Sequence, residues 1–152
     1  MTLKELQKEE SRYINKEIEI SGWIRNHRPQ KEFGFIDFSD GTSFKHLQVV
    51  YTKDLNDFEK IVKLHNGSSI KVVGDYVKSE GSGQAYELKA KTIELLGDCP
   101  EDYPLQPKKH SMEFLRSIAY LRPRANTFQA VFRVRSVAAY AIHKYFQDRN
   151  YI

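Results

Sequence analysis

The sequence of 152 residues predicts a mainly β protein in which a five-stranded barrel precedes a linker and C-terminal helices. Apolar and polar residues alternate from Ile18 to Arg25, and this period of two residues is that of a β-strand with one buried face. Strand and turn signals then recur over residues 1–100 in the order strand, strand, strand, helix, strand, strand. Closely spaced prolines mark an extended segment after the barrel, and an amphipathic helical pattern follows them.

The composition indicates a folded protein of a reducing compartment. Hydrophobic residues make up 40% of the chain, which is enough to build a core. The single cysteine, Cys99, excludes an internal disulfide and fits the cytoplasm. The chain does not open on a basic and then apolar secretory signal, and no apolar run approaches the roughly 20 residues of a membrane helix. We therefore expect a cytoplasmic protein without a membrane partner.

Charge is distributed unevenly along the chain, whose formal net charge is +4. Residues 1–100 hold 15 Lys and Arg against 16 Asp and Glu, a net charge of −1, whereas residues 101–152 hold 9 against 4, a net charge of +5. The first 100 residues are not a general polycation. Any nucleic acid that they bind must therefore be held at a local site.

The first two strands are separated by a polar stretch. Thr2 followed by Glu5 predicts a capping box at the start of a short helix. The first strand comes next, with Gly22 as a candidate bulge. Polar residues 26–32 interrupt the pattern, and a second strand is predicted over residues 33–38.

The remaining elements complete the barrel. The period changes to that of a helix over residues 55–65, and Asn66-Gly67 is a favourable helix end. Residues 80–83 predict a flexible hairpin tip. The other predicted strands cover residues 44–51, 69–77 and 85–96. This order, with a helix between the third and fourth strands, is that of the OB-fold barrel, whose open face and loops bind oligonucleotides.

We divide the chain into three segments: residues 1–100 form the barrel, residues 101–125 a linker, and residues 126–152 the start of a second domain. An amphipathic helix with a cap at Asn126 or Thr127 fills most of the third segment. Nothing follows to cover its apolar face, and a strand is predicted to begin at the last two residues. The pattern therefore indicates a truncated second domain.

The second strand supplies candidate nucleic-acid contacts. If Ile36 and Phe38 face the core, Phe35 faces outward and can stack on a base, a contact worth roughly 1–3 kcal/mol. Four side chains that precede it can also contact RNA: Arg25, His27, Arg28 and Lys31. With the opposite phase of the strand, Phe35 would belong to the core instead.

Two further strands place polar side chains outward. On the third strand His46 and Gln48 point away from the core, and the Gln48 amide can pair with the edge of an unstacked base. On the fifth strand Glu87 alternates with apolar neighbours and can accept hydrogen bonds from a guanine. Each of these residues, taken singly, also fits an ordinary solvated position on a strand.

Signatures of catalysis and of metal binding are weak. The five histidines are scattered along the chain without the spacing of metal ligands. Gly81-Ser82-Gly83 has no helix after it and predicts a turn rather than a phosphate cradle. We therefore assign no catalytic residue and no metal ligand.

Four runs of sequence resemble one family. Residues 21–28 (SGWIRNHR) and 33–37 (FGFID) are similar to the anticodon-binding domain of class IIb aminoacyl-tRNA synthetases, which are the aspartyl, asparaginyl and lysyl enzymes. Residues 107–116 (PKKHSMEFLR) and 120–135 (YLRPRANTFQAVFRVR) resemble the asparaginyl members in particular. The resemblance covers nearly the whole chain.

The resemblance implies a role for each main candidate. Phe35 would stack on the middle anticodon base, a uridine, and Gln48 would hydrogen-bond that uridine. Arg28 would contact the anticodon backbone or a base edge, and Glu87 would meet the first anticodon base, a guanosine. Four further residues are candidate RNA contacts: Arg25, His27, Lys31 and His46.

The resemblance also implies a homodimeric parent enzyme that uses ATP and Mg²⁺ to esterify an amino acid to tRNA. Because the ATP and amino-acid residues of the family lie downstream of this chain, we expect an N-terminal fragment that binds the asparagine anticodon GUU. Such a fragment would hold no cofactor and lack aminoacylation, and residues 126–152 would begin the α+β catalytic domain with its motif 1 helix. Three alternatives remain: a generic single-stranded nucleic-acid or tRNA-binding barrel, a protein-interaction barrel, and the aspartyl-specific relative.

Overall fold

The computed structural model of the chain describes residues 1–81 and 83–152, so Ser82 of the predicted hairpin tip lies outside the described residues. The chain divides into two units, Met1–Pro107 and Lys108–Ile152. Residues 101–107 of the predicted linker thus belong to the first unit. There the Tyr103 ring lies against the backbone of Gly67.

The described part of the first unit is a closed five-stranded barrel with short helices, so the predicted OB-fold is confirmed. The strands follow the order β1-β2-β3-β5-β4, and neighbours are antiparallel except for the parallel pair of β3 and β5. The strands are β1 (Lys16–Pro29), β2 (Phe33–Ser39), β3 (Leu47–Thr52), β4 (Ser69–Lys78) and β5 (Tyr86–Gly97). The helices are α1 (Leu3–Lys8), α2 (Glu10–Tyr13) and α3 (Phe58–Ile61). The capping box at Thr2 and Glu5 is present at the start of α1.

Alternate residues of the strands fill the interior of the barrel. In β2 the buried and half-buried positions alternate, with Ile36 and Phe38 fully buried and Phe35 half-buried. Burial of each such aliphatic or aromatic side chain contributes roughly 1.5–3 kcal/mol to folding. The same core contains Ile18, Ile20, Ile24, Leu47, Val49, Tyr51, Ile70, Val72, Tyr76, Leu88 and Ile93 from the strands, with Leu3, Leu6 and Ile61 from the helices.

The β-bulge of β1 lies at Arg25, between Ile24 and Asn26. β1 carries one residue more than β2 at this point, and the extra residue reverses the inward and outward alternation of the residues that follow. The prediction of a bulge at Gly22 is wrong. Gly22 stays in regular register with β4, and its missing side chain leaves room for the Phe38 ring.

Beyond the bulge, neighbouring residues of β1 serve opposite faces of the barrel. His27 pairs with the inward-facing Ile36, and Arg28 pairs with Phe35 on the outer face. Had the alternation of Ile18 to Ile24 continued unbroken, Arg28 would have faced the core. The bulge is therefore what brings the guanidinium to the same side as the Phe35 ring.

Gly34 of β2 lies directly under the Tyr51 ring of β3, with which it is paired in register. A Cβ atom at position 34 would sit well inside van der Waals contact with Cζ and the hydroxyl oxygen of Tyr51. The ring cannot easily move aside, because it is fully buried and its hydroxyl is hydrogen-bonded to His27 at 2.7 Å. Close packing of the ring on the strand therefore requires glycine here.

Three predicted boundaries in the first unit are wrong. β1 continues to Pro29, which leaves only residues 30–32 as the loop before β2. β3 begins at Leu47 rather than at Phe44, because the preceding loop is tied to α1 by side-chain hydrogen bonds. The predicted helix over residues 55–65 is reduced to the four residues of α3. Turns with hydrogen bonds from residue i to residue i+3 flank α3. Their apolar residues recur at nearly the spacing of an α-helix, and for this reason the pattern predicted a longer helix.

The second unit is helical, with α4 (Met112–Ser117), a 3₁₀ turn (Arg122–Arg124) and α5 (Asn126–Gln147). The residue that caps α5 is Ala125 rather than Asn126 or Thr127, because the 3₁₀ turn closes on Ala125 and α5 follows at once. The predicted strand at the last two residues is also wrong, since residues 151–152 have no regular secondary structure and follow a turn at residues 148–150. Of the described helices, none has the length and apolar character needed to cross a membrane.

We expect Gly34→Ala to destabilise the barrel by about 1–3 kcal/mol, because the new methyl group overpacks against Tyr51. The free energy of unfolding is measured in urea through the fluorescence of Trp23, the single tryptophan, which lies on β1. Gly83→Ala is the matched control, since nothing lies within 4 Å of a Cβ added there. Equal stability of the two variants would contradict the packing described for Gly34.

Candidate nucleic-acid interface

A groove of about 840 Å³ lies on the outer face of the barrel. Side chains from the end of β1, from β2, β3 and β5, and from the β4–β5 loop line it. The four main sequence candidates are all among the lining residues: Arg28, Phe35, Gln48 and Glu87. The structure thus brings together residues that are up to 59 positions apart in the chain.

Phe35 presents its ring to the groove from the centre of β2. Of the two phases that the sequence left open, the structure has the one with Phe35 outward, because its neighbours Gly34 and Ile36 are buried while Phe35 is half-buried. The edge of the Phe33 ring packs against it at a centroid distance of 5.4 Å. Arg28 lies over the ring, with its guanidinium carbon 5.4 Å from the centroid. An aromatic surface with a movable cation above it is the arrangement on which a flat, electron-rich partner can stack.

Gln48 lies between a cation and a carboxylate. The Arg28 guanidinium donates to Gln48 Oε1 at 3.5 Å, and Gln48 Nε2 donates to Glu87 Oε2 at 3.5 Å. Both hydrogen bonds are long and therefore weak. They orient the amide only weakly, so a ligand can replace Arg28 or Glu87 as its hydrogen-bond partner.

Glu87 forms the floor of the groove rather than part of an exposed strand face. It is only 7% exposed, which excludes the alternative of a solvated surface carboxylate. Ser79 of the β4–β5 loop donates its hydroxyl hydrogen to Glu87 Oε2 at 2.9 Å. A buried carboxylate with one firm and one long hydrogen bond keeps acceptor capacity for a ligand.

His27 points to the barrel interior and not into the groove. Its Nδ1 lies 2.9 Å from the carbonyl oxygen of Leu64, which can only accept, so Nδ1 carries the hydrogen. Its Nε2 then accepts from the Tyr51 hydroxyl at 2.7 Å. Burial lowers the pKa of His27 below its ordinary 6.5, and the hydrogen bond to Leu64 offsets this in part. Burial also raises the pKa of Tyr51 to about 12.

The three other sequence candidates are absent from the described lining of the groove. Arg25 is half-buried at the bulge, and Lys31 is exposed in the β1–β2 loop. His46 directly precedes β3, and its Nδ1 lies 3.0 Å from the carboxylate of Asp37, the β2 residue paired with Gln48. None of the three therefore contributes to the described part of the groove lining.

Among the described lining residues, two cations were missed as site candidates in the sequence, Lys53 and Lys89. Lys89 could have been found, because it is two residues from Glu87 and therefore on the same side of β5. Lys53 directly follows β3, where strand alternation no longer predicts direction. No group of three or more His, Cys, Asp or Glu that could hold a metal ion occurs in the residues that the structure describes.

Comparison with protein families identifies the barrel. Residues 18–96 match the tRNA anti-codon family, described as an OB-fold nucleic acid binding domain. The match covers more than half of the chain and includes all four main candidates. The matched range extends from the third residue of β1 to the penultimate residue of β5.

Individual proteins similar to the chain are longer than it is. An asparagine–tRNA ligase of Desulfitobacterium hafniense is 53% identical over 150 residues, which are 99% of this chain and 32% of that protein. The chain thus spans about a third of the length of the curated relatives that it matches.

Two solved structures share the fold at low sequence identity. Asparaginyl-tRNA synthetase of Pyrococcus horikoshii has a TM-score of 0.77 and 22% identity over 91% of this chain and 33% of that one. Aspartyl-tRNA synthetase of Entamoeba histolytica also has a TM-score of 0.77, with 15% identity over 93% of this chain and 36% of that one. The fold is therefore shared by a protein named as an asparaginyl enzyme and by one named as an aspartyl enzyme.

We expect the barrel to lose stability as the pH falls through 6.5, the ordinary pKa of histidine. The unfolded chain takes up a proton on His27 at a higher pH than the folded chain does, so acid favours unfolding between the two pKa values. The free energy of unfolding is measured from about pH 7 to pH 5 for the wild type and for His27→Gln. The other four histidines contribute to both curves, and the wild-type curve should be the steeper. Parallel curves would contradict the lowered pKa of the half-buried His27.

Proposed function

The chain belongs to the tRNA anti-codon family of OB-fold nucleic acid binding domains, and on that basis we propose that its groove binds the anticodon loop of a transfer RNA. The observation that carries the proposal is the presence of an outward aromatic ring, an amide and a buried carboxylate in one groove. Single-stranded RNA is recognised by stacking of splayed bases and by hydrogen bonds to their edges. The three side chains supply both kinds of contact.

The ring of Phe35 receives the middle anticodon base. Stacking of a base on an aromatic side chain contributes roughly 1–3 kcal/mol. Arg28 covers the ring in the free protein, is exposed and makes one long hydrogen bond, so it moves aside at little cost. Once displaced, its guanidinium contacts a neighbouring phosphate or stacks on a base edge.

Gln48 and Glu87 read the edges of two bases. The amide offers one acceptor and one donor side by side, which complements the N3–H donor and the carbonyl acceptor of uracil. The Glu87 carboxylate accepts from the N1–H and amino groups of guanine. The middle uridine and the first guanosine of the asparagine anticodon GUU present these groups. Both side chains already face one another across 3.5 Å, so the two adjacent bases are read together.

For the whole protein we propose asparagine–tRNA ligase activity. The support is the 53% identity to the Desulfitobacterium hafniense enzyme over nearly all of this chain. Use of ATP and Mg²⁺, a homodimeric state and a cytoplasmic location belong to the same proposal. We assign ATP and Mg²⁺ to no residue of this chain, which carries the anticodon contacts.

We expect Phe35→Ala to weaken binding of an RNA stem-loop with the anticodon GUU by about 1–3 kcal/mol, or roughly 5- to 150-fold in Kd. Binding is measured by fluorescence anisotropy at fixed salt. The same titrations with the middle uridine replaced by cytidine should show a strong loss for the wild type and a smaller loss for Phe35→Ala.

Phe44→Ala is the matched control for this experiment, because Phe44 is an aromatic residue 50% exposed and lies outside the described lining of the groove. Unchanged affinity of Phe35→Ala would remove the ring from the site. Indifference of the wild type to the middle base would favour a generic single-strand binder, and absence of RNA binding would favour a protein-interaction barrel.

A further inference from the structure

The described lining of the groove is nearly balanced in charge, which is unusual for a surface that meets a polyanion. It contains three cations, Arg28, Lys53 and Lys89, and four carboxylates: Glu32, Asp54, Glu80 and Glu87. Nucleic-acid affinity depends strongly on the number of phosphates that cations neutralise. The lysines therefore contribute to RNA affinity only if they can leave their carboxylate partners and contact phosphates.

Each lysine is held by a glutamate from a loop at the edge of the groove. Lys53 Nζ lies 3.0 Å from Glu32 of the β1–β2 loop, and Lys89 Nζ lies 3.4 Å from Glu80 of the β4–β5 loop. The backbone N–H of Lys53 also donates to the carbonyl oxygen of Glu32 at 2.8 Å, which fixes the first pair in register. The first pair lies where β2 begins and β3 ends, and Lys89 of the second pair lies on β5, across β3 from Phe35.

Both ion pairs are exposed enough to open readily. The side chains of Lys53 and Glu32 are 62% and 69% exposed, and those of Lys89 and Glu80 are 51% and 89% exposed. Ion pairs of this kind are weak, because water and salt screen them and ordering of two long side chains costs entropy. A phosphate that approaches either lysine can therefore replace the glutamate.

We propose that Lys53 and Lys89 bind backbone phosphates of the RNA near the stacked base, and that Glu32 and Glu80 occupy these lysines in the free protein as internal competitors. The proposal rests on the proposed function of the groove and adds two phosphate-binding residues and two residues that regulate affinity. Because each phosphate must displace a carboxylate, the two lysines contribute less to RNA affinity than lysines without a paired carboxylate would. The exchange keeps affinity moderate and favours release of the RNA.

The competitors are tested by the double variant Glu32→Gln and Glu80→Gln in the 152-residue chain. Loss of two weak ion pairs should raise affinity for the GUU stem-loop at low salt by roughly 2- to 30-fold. Phosphate contacts carry no sequence information, so affinity for the stem-loop with a replaced middle base should rise by the same factor. The matched control is Asp57→Asn with Glu94→Gln, which removes two carboxylates paired with Lys60 and Lys71 outside the groove.

The lysines are tested by the salt dependence of binding. Lys53→Met with Lys89→Met should make the slope of log affinity against log salt less steep by about 1.4, the value for two phosphates of a single strand. Lys60→Met with Lys71→Met is the matched control, since it removes the same charge elsewhere. A slope equal to that of this control would overturn the assignment of the lysines. A gain for the glutamate variant no larger than that of its own control would overturn the competition.

Failure of this inference is distinguishable from failure of the proposed function. If Phe35→Ala binds the stem-loop as tightly as the wild type, the groove is not the anticodon site and both proposals fall. If Phe35→Ala weakens binding while the lysine variant keeps its salt slope, only the role of the lysines falls.

Discussion

The packing of the Tyr51 ring on Gly34 is the contact on which the rest of the structure depends, because it sets the phase of β2. Side chains of a strand alternate between two faces, so a slip of one residue would bring Phe35 inside and expose Ile36 and Phe38. Position 34 is buried under the ring, where a Cβ would overpack against Tyr51, and its two neighbours in β2 therefore occupy the other face. The aromatic surface of the groove is a consequence of this one close approach.

A second constraint connects the core to the groove within two adjacent residues. The bulge at Arg25 directs His27 inward, where it joins the Tyr51 hydroxyl to the carbonyl of Leu64, and directs Arg28 outward over Phe35. The imidazole is held from both sides in a half-buried position, whereas the guanidinium is exposed and loosely bound. Rigid support beneath a movable cation suits a surface that must be pre-organised for stacking and yet open for a ligand.

Much of the fold and part of the site follow from local sequence pattern, and the remainder depends on pairing between distant strands. Alternation predicts that Phe35 and Gln48 share the face opposite to Ile36 and Val49, and it leaves open which of the two faces is the outer one. It does not predict the side of Arg28, because a bulge is a property of two paired strands. The burial of Glu87 and the ion pairs of Lys53 and Lys89 depend on the parallel contact of β3 with β5 and on two loops, which no single stretch of sequence encodes.

The central claim is that the Phe35 ring lies against the middle base of an anticodon. Nuclear magnetic resonance of the chain in complex with an isotope-labelled GUU stem-loop tests it most directly. Stacking predicts nuclear Overhauser contacts between the Phe35 ring protons and H5 or H6 of the middle uridine, with an upfield shift of those base protons. A complex in which these contacts are missing, and in which the uridine protons resonate as in the free RNA, would contradict it.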